Sequence, residues 1–390
     1  MRKSLLRAFC LAVALAEVGS SQEATRGASA AAPLVESDEL STAPSRYRLS
    51  PRPTLDIGGL EQDPELEFNA RRAEVWAVPL RSGGLAVLDV SRVHIFSSTG
   101  VRRGIAGRDG SGPNEFRGLY SGCGLGGDTI LVADGSLSRL SVISPSGAFI
   151  RTLQSDDARA VTHHACLADG SVLASRMVEQ RGPNSVVEVV RLDTRAERRS
   201  VVVREDQAPA LDFVAGRSVS VIANGTLVYV SDGREIRVYR VDGSLVRHLR
   251  TRDPALPITS EQYERELAFS FPRNASSAER ARVTERLTAR RGRNVWPLFD
   301  RVMPGDDGRI WVQHFRRPSE RSAGGPFARE KWTAFDSLGR LDGRLELPPP
   351  VRQDRRPPEV VAFPRGGVLL KEYDDDGAVH FRQYPLLRVQ

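Results

Sequence analysis

The feature that most constrains the fold of this chain is a short unit that recurs along it. A turn of small and polar residues, followed by an apolar, β-rich run, occurs six times in 390 residues. Asn-Gly and Asp-Gly suit such hairpin turns because they accept positive φ. The turns and the runs that follow them are Ser82–Gly84 with LAVLDV, Gly126–Asp128 with TILVAD, Asp169–Gly170 with SVLAS, Asn224–Gly225 with TLVYV, Asp307–Gly308 with RIWVQ, and Arg365–Gly367 with VLLKEY.

The spacing of these turns indicates units of several strands. Gly84, Gly127 and Gly170 follow one another at intervals of 43 residues, and the later intervals are 55, 83 and 59 residues. A second turn with alternating strands on its flanks follows in most copies, at Gly100, Gly147, Gly243 and Gly339. Each unit therefore offers four short strands, and such units at periods above about 40 residues are typical of propeller blades.

The repeat predicts an all-β fold, a six-bladed β-propeller. A ring of blades buries both faces of every sheet, which a single blade cannot do. A β-sandwich and a row of small sheets are the alternatives, and the fixed 43-residue spacing argues against both. The sixth unit lacks an outer strand because the chain ends soon after residues 379–384. We expect residues 53–57 (PTLDI) to supply that strand and close the ring, which leaves no unpaired edge there.

Composition excludes global disorder and does not favour a nucleic-acid partner. Apolar residues make up 40% and charged residues 27% of the chain. The formal charge is +7, from 56 basic and 49 acidic residues, and all basic residues except Lys3, Lys331 and Lys371 are arginines. This balance fits a basic surface for a polyanion or an Arg-biased, solvated surface. The signs alternate and no basic run stands alone, so we favour the second and expect no nucleic-acid binding.

The N-terminus has the pattern of an export signal. Residues 1–16 combine a basic start with a short apolar run at 9–16 and a small-x-small cleavage site at Ala14–Ala16. The run is too short to span a bilayer, no other segment approaches membrane length, and Cys10 stands in a poor lipid-attachment context. We expect a periplasmic or extracellular monomer, with a disordered linker at 17–50 and the propeller at 51–390.

Two cysteines remain after that cleavage, and an oxidising compartment permits a disulfide. Cys123 lies four residues before Gly127 and Cys166 four before Gly170, on inner strands of neighbouring units. Equivalent positions point the same way around a ring, so the two Cβ atoms would not converge on regular strands. Gly122 and Gly124 offer a source of irregularity, and the disulfide is left open.

The 83-residue interval predicts a helical insertion between blades four and five, at about 258–292. Capping-box patterns begin at Thr259 and Ser276, and an apolar stripe runs through Tyr263, Leu267, Phe271, Val283 and Leu287. The stripe indicates a helical pair packed on the ring; a lid with arginines aimed at an anionic ligand is the alternative. A smaller loop at 317–330 is expected to be disordered or mobile.

One unit resembles a known family closely. Residues 110–116 (GSGPNEF) look like the GxGPGEF-type blade opener of NHL-repeat and related bacterial six-bladed propellers. Residues 131–134 (LVAD) and 139–143 (RLSVI) resemble the YVAD and RIQVF that follow in such repeats. Asn114 replaces the usual glycine, and the other units carry only the turn-and-strand skeleton. The resemblance implies the fold and leaves function open, since the family includes lyases, lactone hydrolases, RNA binders and protein-interaction modules.

Candidate site residues are those expected in or above the central channel. The ligand-binding candidates are Glu115, Arg117, Tyr120, His163, His164, Arg217, Trp296 and Phe299. Tyr120, Trp296 and Phe299 are expected to line a ligand mouth. No catalytic constellation, metal site or cofactor is predicted, since no GxSxG, phosphate loop or Cys/His pair is present and a three-histidine zinc set is lacking.

These observations favour an exported binding or scaffolding module that takes a small ligand or another exported protein at one rim of the ring. The alternative is a lactonase-like hydrolase or lyase with a metal in the channel. That alternative requires Glu74, Asp300 and Glu359 to converge with Asn114 or Glu115.

Overall fold

A computed structural model describes residues 32–59, 75–154, 162–181, 184–209, 214, 220–269, 271, 275–288, 291, 294–321, 329–348 and 357–389. Residues 33–390 form one compact unit by their contacts. The export signal, the first part of the predicted linker, Glu74 and Arg217 lie outside the described residues. Within the described part, no helix is long and apolar enough to cross a membrane.

The described residues form an all-β, propeller-like arrangement of antiparallel sheets. Three strands precede the first repeat unit: β1 (Leu34–Ser37), β2 (Tyr47–Leu49) and β3 (Leu55–Gly58). Unit 1 contains β4 (Trp76–Pro79), β5 (Leu85–Asp89), β6 (Arg92–Phe96) and β7 (Arg102–Ala106). Unit 2 contains β8 (Leu119–Gly124), β9 (Ile130–Asp134), β10 (Arg139–Ile143) and β11 (Phe149–Leu153). Unit 3 contains β12 (Thr162–Cys166), β13 (Val172–Arg181), β14 (Asn184–Leu192) and β15 (Arg198–Pro209).

The later units repeat this order and recruit the early strands. Unit 4 contains β16 (Ser220–Asn224), β17 (Leu227–Ser231), β18 (Glu235–Arg240) and β19 (Leu245–Thr251), with β1 added beside β19. Unit 5 contains β20 (Phe299–Pro304), β21 (Ile310–His314), β22 (Lys331–Phe335) and β23 (Leu341–Glu346). Unit 6 contains β24 (Glu359–Ala362), β25 (Gly367–Tyr373) and β26 (Val379–Arg388). Strand β2 pairs with both β23 and β26, so units 5 and 6 share one sheet of nine strands.

The core lies between the units, because each sheet buries both faces against its neighbours. One apolar cluster joins unit 1 to unit 2, and further clusters join units 2 and 3, 3 and 4, 4 and 5, and 5 and 6. A sixth cluster packs Phe381 of unit 6 and Ile57 of β3 against Phe96 of unit 1. All three side chains are buried, so the last unit is held to the first by apolar contact.

The predicted outer strand of unit 6 is present. Strand β3 pairs antiparallel with β26, from Leu55 opposite Gln383 to Gly58 opposite His380. The Asp56 carboxylate accepts hydrogen bonds from His380 Nδ1 at 2.8 Å and Arg382 Nε at 2.9 Å. An early strand therefore completes the last sheet, as residues 53–57 predicted.

The linker prediction for 17–50 is wrong where the structure describes that segment. Strand β1 adds parallel to β19, a short 3-10 turn follows at Leu40–Thr42, and β2 lies between units 5 and 6. Leu40 and Tyr47 are buried in the clusters of those units. Residues 33–58, here called the N-terminal strap, are ordered because buried apolar side chains, among them Leu40, Tyr47 and Ile57, and the backbone of existing sheets hold an otherwise polar segment.

The helical insertion and both capping boxes are confirmed. Helix α1 (Ser260–Ala268) is capped by Thr259 and Gln262, and α2 (Ser277–Thr288) has the same exchange between Ser276 and Glu279. The predicted stripe packs with Trp296, Val214 and Phe315 in one cluster. A third helix, α3 (Pro318–Arg321), lies in the loop predicted to be disordered or mobile, and the Ser319 backbone N–H donates to Glu266 of α1 at 2.9 Å.

The second turns set the distance between neighbouring units. Gly147 of unit 2 has φ +88°, and a Cβ on it would lie 2.6 Å from the carbonyl oxygen of Ile105 on β7 of unit 1. Gly243 of unit 4 meets Val202 of β15 in the same way. Unit 3 has the same turn at Asp193–Glu197, where Ala196 takes φ +66°. The sequence pattern missed this copy because alanine stands where the other units have glycine.

We predict that Gly147→Ala destabilises the fold more than Gly308→Ala does. Both glycines have φ above +80°, so each alanine incurs about 1–2 kcal/mol of left-handed backbone strain. Gly308 has no atom within 4 Å of an added Cβ, whereas Gly147 meets the backbone of the preceding unit. That clash adds about 1–3 kcal/mol. Urea unfolding of both variants measures the difference, and equal losses would contradict a role for the contact.

Candidate functional site

One side of the propeller-like arrangement carries most of the described residues that lie outside the strands. In each unit the inner strand begins on the same side. Because successive strands of a unit run in opposite directions, the outer strand ends on that side too, and the connection to the next unit lies there. We call it the loop face. The insertion and the segment before β8 lie there. The opposite face has tight turns, in which Leu80, Leu125 and Leu167 each donate a backbone hydrogen bond to the residue four positions later.

Glu115 holds a loop together. Its carboxylate accepts the Gly112 N–H at 2.7 Å and pairs with Arg108 at 2.8 Å. The Gly112 N–H and the Arg108 guanidinium hold the pKa of Glu115 below its usual range. Both contacts are internal to the loop, whose Asn114 is held at φ +62°. Arg117 follows with an exposed side chain, while its backbone N–H donates to Asp134 at 2.8 Å.

Tyr120 and His163 meet at the seam between units 2 and 3. The Tyr120 hydroxyl lies 2.6 Å from His163 Nδ1. Burial raises the pKa of Tyr120 and lowers the pKa of His163 to about 4, so the phenol is protonated and the imidazole neutral near pH 7. His163 Nε2 is buried and has no hydrogen-bond partner in the structure. The pair is a neutral polar contact at the loop-face end of two inner strands.

His164 is separated from His163 by a bulge. The pairing of β12 with β13 shifts between His163 and Ala165, which leaves His164 as the extra residue. Its Nε2 lies 2.7 Å from the Ser175 hydroxyl. A matching irregularity lies at Tyr120, between Leu119 and Ser121 on β8. Neither bulge was predicted from the sequence.

Cys123 and Cys166 form a disulfide, with Cα atoms 5.5 Å apart. The loops after their strands begin at Leu125 and Leu167, which are 42 residues apart, while the cysteines are 43 apart. The two positions are therefore out of phase by one residue and face opposite sides of their sheets. Both cysteines pack in the cluster between units 2 and 3, while Ala165 faces unit 4.

This phase corrects the predicted repeat. Asp128, with φ +59°, takes the left-handed position that Gly170 takes in the next unit. Aligning Gly127 with Gly170 was thus wrong by one residue. The loops that begin at Leu80, Leu125 and Leu167 are 45 and then 42 residues apart, and the equal 43-residue spacing was a coincidence of neighbouring glycines.

Trp296 and Phe299 do not line a mouth. Phe299 is 3% exposed in the cluster between units 4 and 5, and Trp296 is 5% exposed beneath the insertion. Arg317 stacks on the Trp296 ring at 4.8 Å. The ligand-contact prediction is therefore wrong for these two residues, since Phe299 on β20 and Trp296 in the segment before it both pack between elements.

The carboxylates that a metal-dependent hydrolase or lyase would need do not converge on one site among the described residues. Glu115 is bound to its own loop, and Glu359 lies 3.2 Å from Arg301 of unit 5. Within the described ranges no group of three or more His, Cys, Asp or Glu side chains is placed to hold a metal ion. Glu74 lies outside those ranges.

Comparisons with known proteins leave the family open. No protein-family profile and no curated protein matches the chain. Similar solved structures include a catalytically inactive virginiamycin B lyase from Staphylococcus aureus with quinupristin, at 9% identity over 82% of this chain and 83% of that one, with a TM-score of 0.39. A gluconolactonase from Xanthomonas campestris has 12% identity over 80% and 85%, with a TM-score of 0.38. Likenesses this distant carry no argument about this chain.

We predict that breaking the Cys123–Cys166 disulfide lowers the free energy of unfolding by about 3–4 kcal/mol, because the bond closes a 43-residue loop in the unfolded chain. Urea unfolding with and without reductant measures the change. A Cys123→Ser/Cys166→Ser double variant should match the reduced protein and ignore reductant. Equal unfolding curves for oxidised and reduced wild type would contradict the bond.

We predict that stability falls as the pH drops below about 6.5. The pKa of His163 is about 4 in the folded chain and about 6.5 when unfolded, so the unfolded state binds more protons between these values. The stabilisation is complete above pH 6.5 and is lost on the way to pH 4. Thermal midpoints of wild type and His163→Gln should converge in acid. Midpoints that differ by the same amount at pH 4 and at pH 7 would contradict this prediction.

Proposed function

We propose that this protein is an exported, six-bladed β-propeller that binds a small ligand or another exported protein through its loop face. Six apolar clusters between successive units, including the one between units 6 and 1, support the blade count and a closed ring. The disulfide favours an oxidising compartment. In this proposal the mature chain acts as a monomer of the NHL-like kind, and residues 1–16 direct its export.

The observation that carries the proposal is the unequal elaboration of the two faces. The three helices of the described residues and the glycine-rich segment before β8 lie on the loop face, whereas the opposite face carries tight turns. A rigid ring that presents long segments on one side is the usual arrangement of a binding surface. Within that face, Tyr120, His163 and His164 are half-buried, and the exposed Arg117 lies three residues before Tyr120 along the chain.

The hydrolase or lyase alternative depends on residues beyond this seam. It needs Glu74 to join Glu359 and Asp300, and Glu359 already pairs with Arg301. Restoring calcium or zinc after EDTA treatment separates the two proposals. A metal-specific rise of the unfolding midpoint would favour the enzyme, because a ligand that binds only the folded state stabilises it.

We predict that Arg117→Glu weakens capture of the partner about tenfold. The substitution reverses an exposed charge on the loop face, so it opposes the electrostatic attraction between that face and the partner. The matched control is Arg365→Glu, which reverses an exposed arginine in a tight turn of the opposite face. Immobilised wild type and both variants are compared against the exported fraction, with each captured species quantified by mass spectrometry. Equal losses in both variants, or none in either, would contradict binding at the loop face.

A further inference from the structure

Lys371 places a buried ammonium group at the seam between units 6 and 1. The residue is 9% exposed and lies on β25 between Leu369 and Tyr373, which share its side of the sheet. Both neighbours pack in the cluster that joins the two units. Strand β25 ends on the loop face, and β4 begins there, so the ammonium lies at the loop-face end of the seam.

The ammonium uses few of its donors. Lysine has three N–H donors, and here Nζ donates to the carbonyl oxygen of Val75 at 2.9 Å. Its other described contact is the Tyr373 ring, whose centre is 5.9 Å away. No carboxylate of the described residues lies within 4.0 Å of Nζ to form an ion pair. A buried charge without a counter-charge costs stability, so such an arrangement needs a reason outside folding.

The nearest acid along the sheet does not supply the missing charge. Glu359 on β24 is the direct cross-strand partner of Lys371. Its carboxylate instead lies 3.2 Å from the Arg301 guanidinium of unit 5, which also donates to the Val360 carbonyl. Arg301 and Lys371 thus stand on the two sides of β24, one paired and the other without an acidic partner among the residues described.

The choice of lysine at this position is itself unusual for this chain. Arginine supplies 53 of its 56 basic residues, and Lys371 is one of two lysines beyond the expected export signal. A guanidinium would offer a wide planar fork, whereas an ammonium is a compact point charge that suits one anionic oxygen in a narrow space.

We propose that Lys371 anchors an anion-binding site on the loop face, which takes a carboxylate or phosphate group of a small ligand. The inference rests on the proposed binding function of that face and names the chemistry of its ligand. An anionic oxygen would accept the donors that Val75 leaves free and neutralise the buried charge. Binding therefore couples to the seam that joins the last unit to the first.

Thermal unfolding of the mature protein tests this site, with inorganic phosphate and citrate as probes and sodium chloride of equal ionic strength as reference. At saturation we expect the wild-type midpoint to rise by about 3 °C or more with at least one probe. Lys371→Met should lose that rise. It should also keep a midpoint no lower than wild type in sodium chloride, because an apolar side chain of similar length suits this cluster.

The matched control is Lys331→Met, since Lys331 is exposed on β22 and should leave the rise unchanged. Equal rises in wild type and Lys371→Met, or no rise with either probe, would overturn the proposed site. Failure here is distinguishable from failure of the proposed function, because the Arg117 and Arg365 variants report on partner capture without added anion.

Discussion

The distance between neighbouring units of this molecule depends on how closely the backbone of one unit can approach the backbone of the next. In successive units a turn residue with positive φ leans on the outer strand of the unit before it, and at Gly147 and Gly243 the gap would not admit a Cβ without a shift. The apolar clusters between the sheets then fill at the distance that these turns define. Among the described turns of this kind, the one in unit 3 carries a methyl group, on Ala196, which is fully buried there.

Local signals in the sequence were sufficient for much of the architecture. The strands, the capping boxes and the strand that completes unit 6 follow from alternation, turn chemistry and capping, which act over a few residues. The described half of the predicted linker was missed because its composition is polar and the partners of its strands, β19 and β23, lie some 200–300 residues away in sequence. The turn at Ala196 was missed because only its backbone resembles the glycine turns.

The candidate site was harder to predict, because the direction of a side chain depends on register. A single-residue error in register reverses the face of the sheet to which a strand residue points. The cysteines are an example: predicting their disulfide required the correct alignment of units 2 and 3, in which Asp128, not a glycine, takes the left-handed turn position. Bulges at Tyr120 and His164 displaced two further candidates. Trp296 and Phe299 were correctly placed near inner strands, and burial between elements removed them from any mouth. Lys371 carried one sequence signal, its rarity among arginines.

The strap also has a consequence for how the chain reaches this state. Strand β3 appears early during synthesis but pairs with β26, more than 300 residues later, so its hydrogen-bonding edge stays open until β26 has emerged. Closure therefore waits for that strand, and contacts of such long sequence separation slow folding. A nascent chain carries exposed strand edges throughout that interval, which makes protection of those edges a requirement of its biogenesis and ties completion of the fold to the arrival of β26.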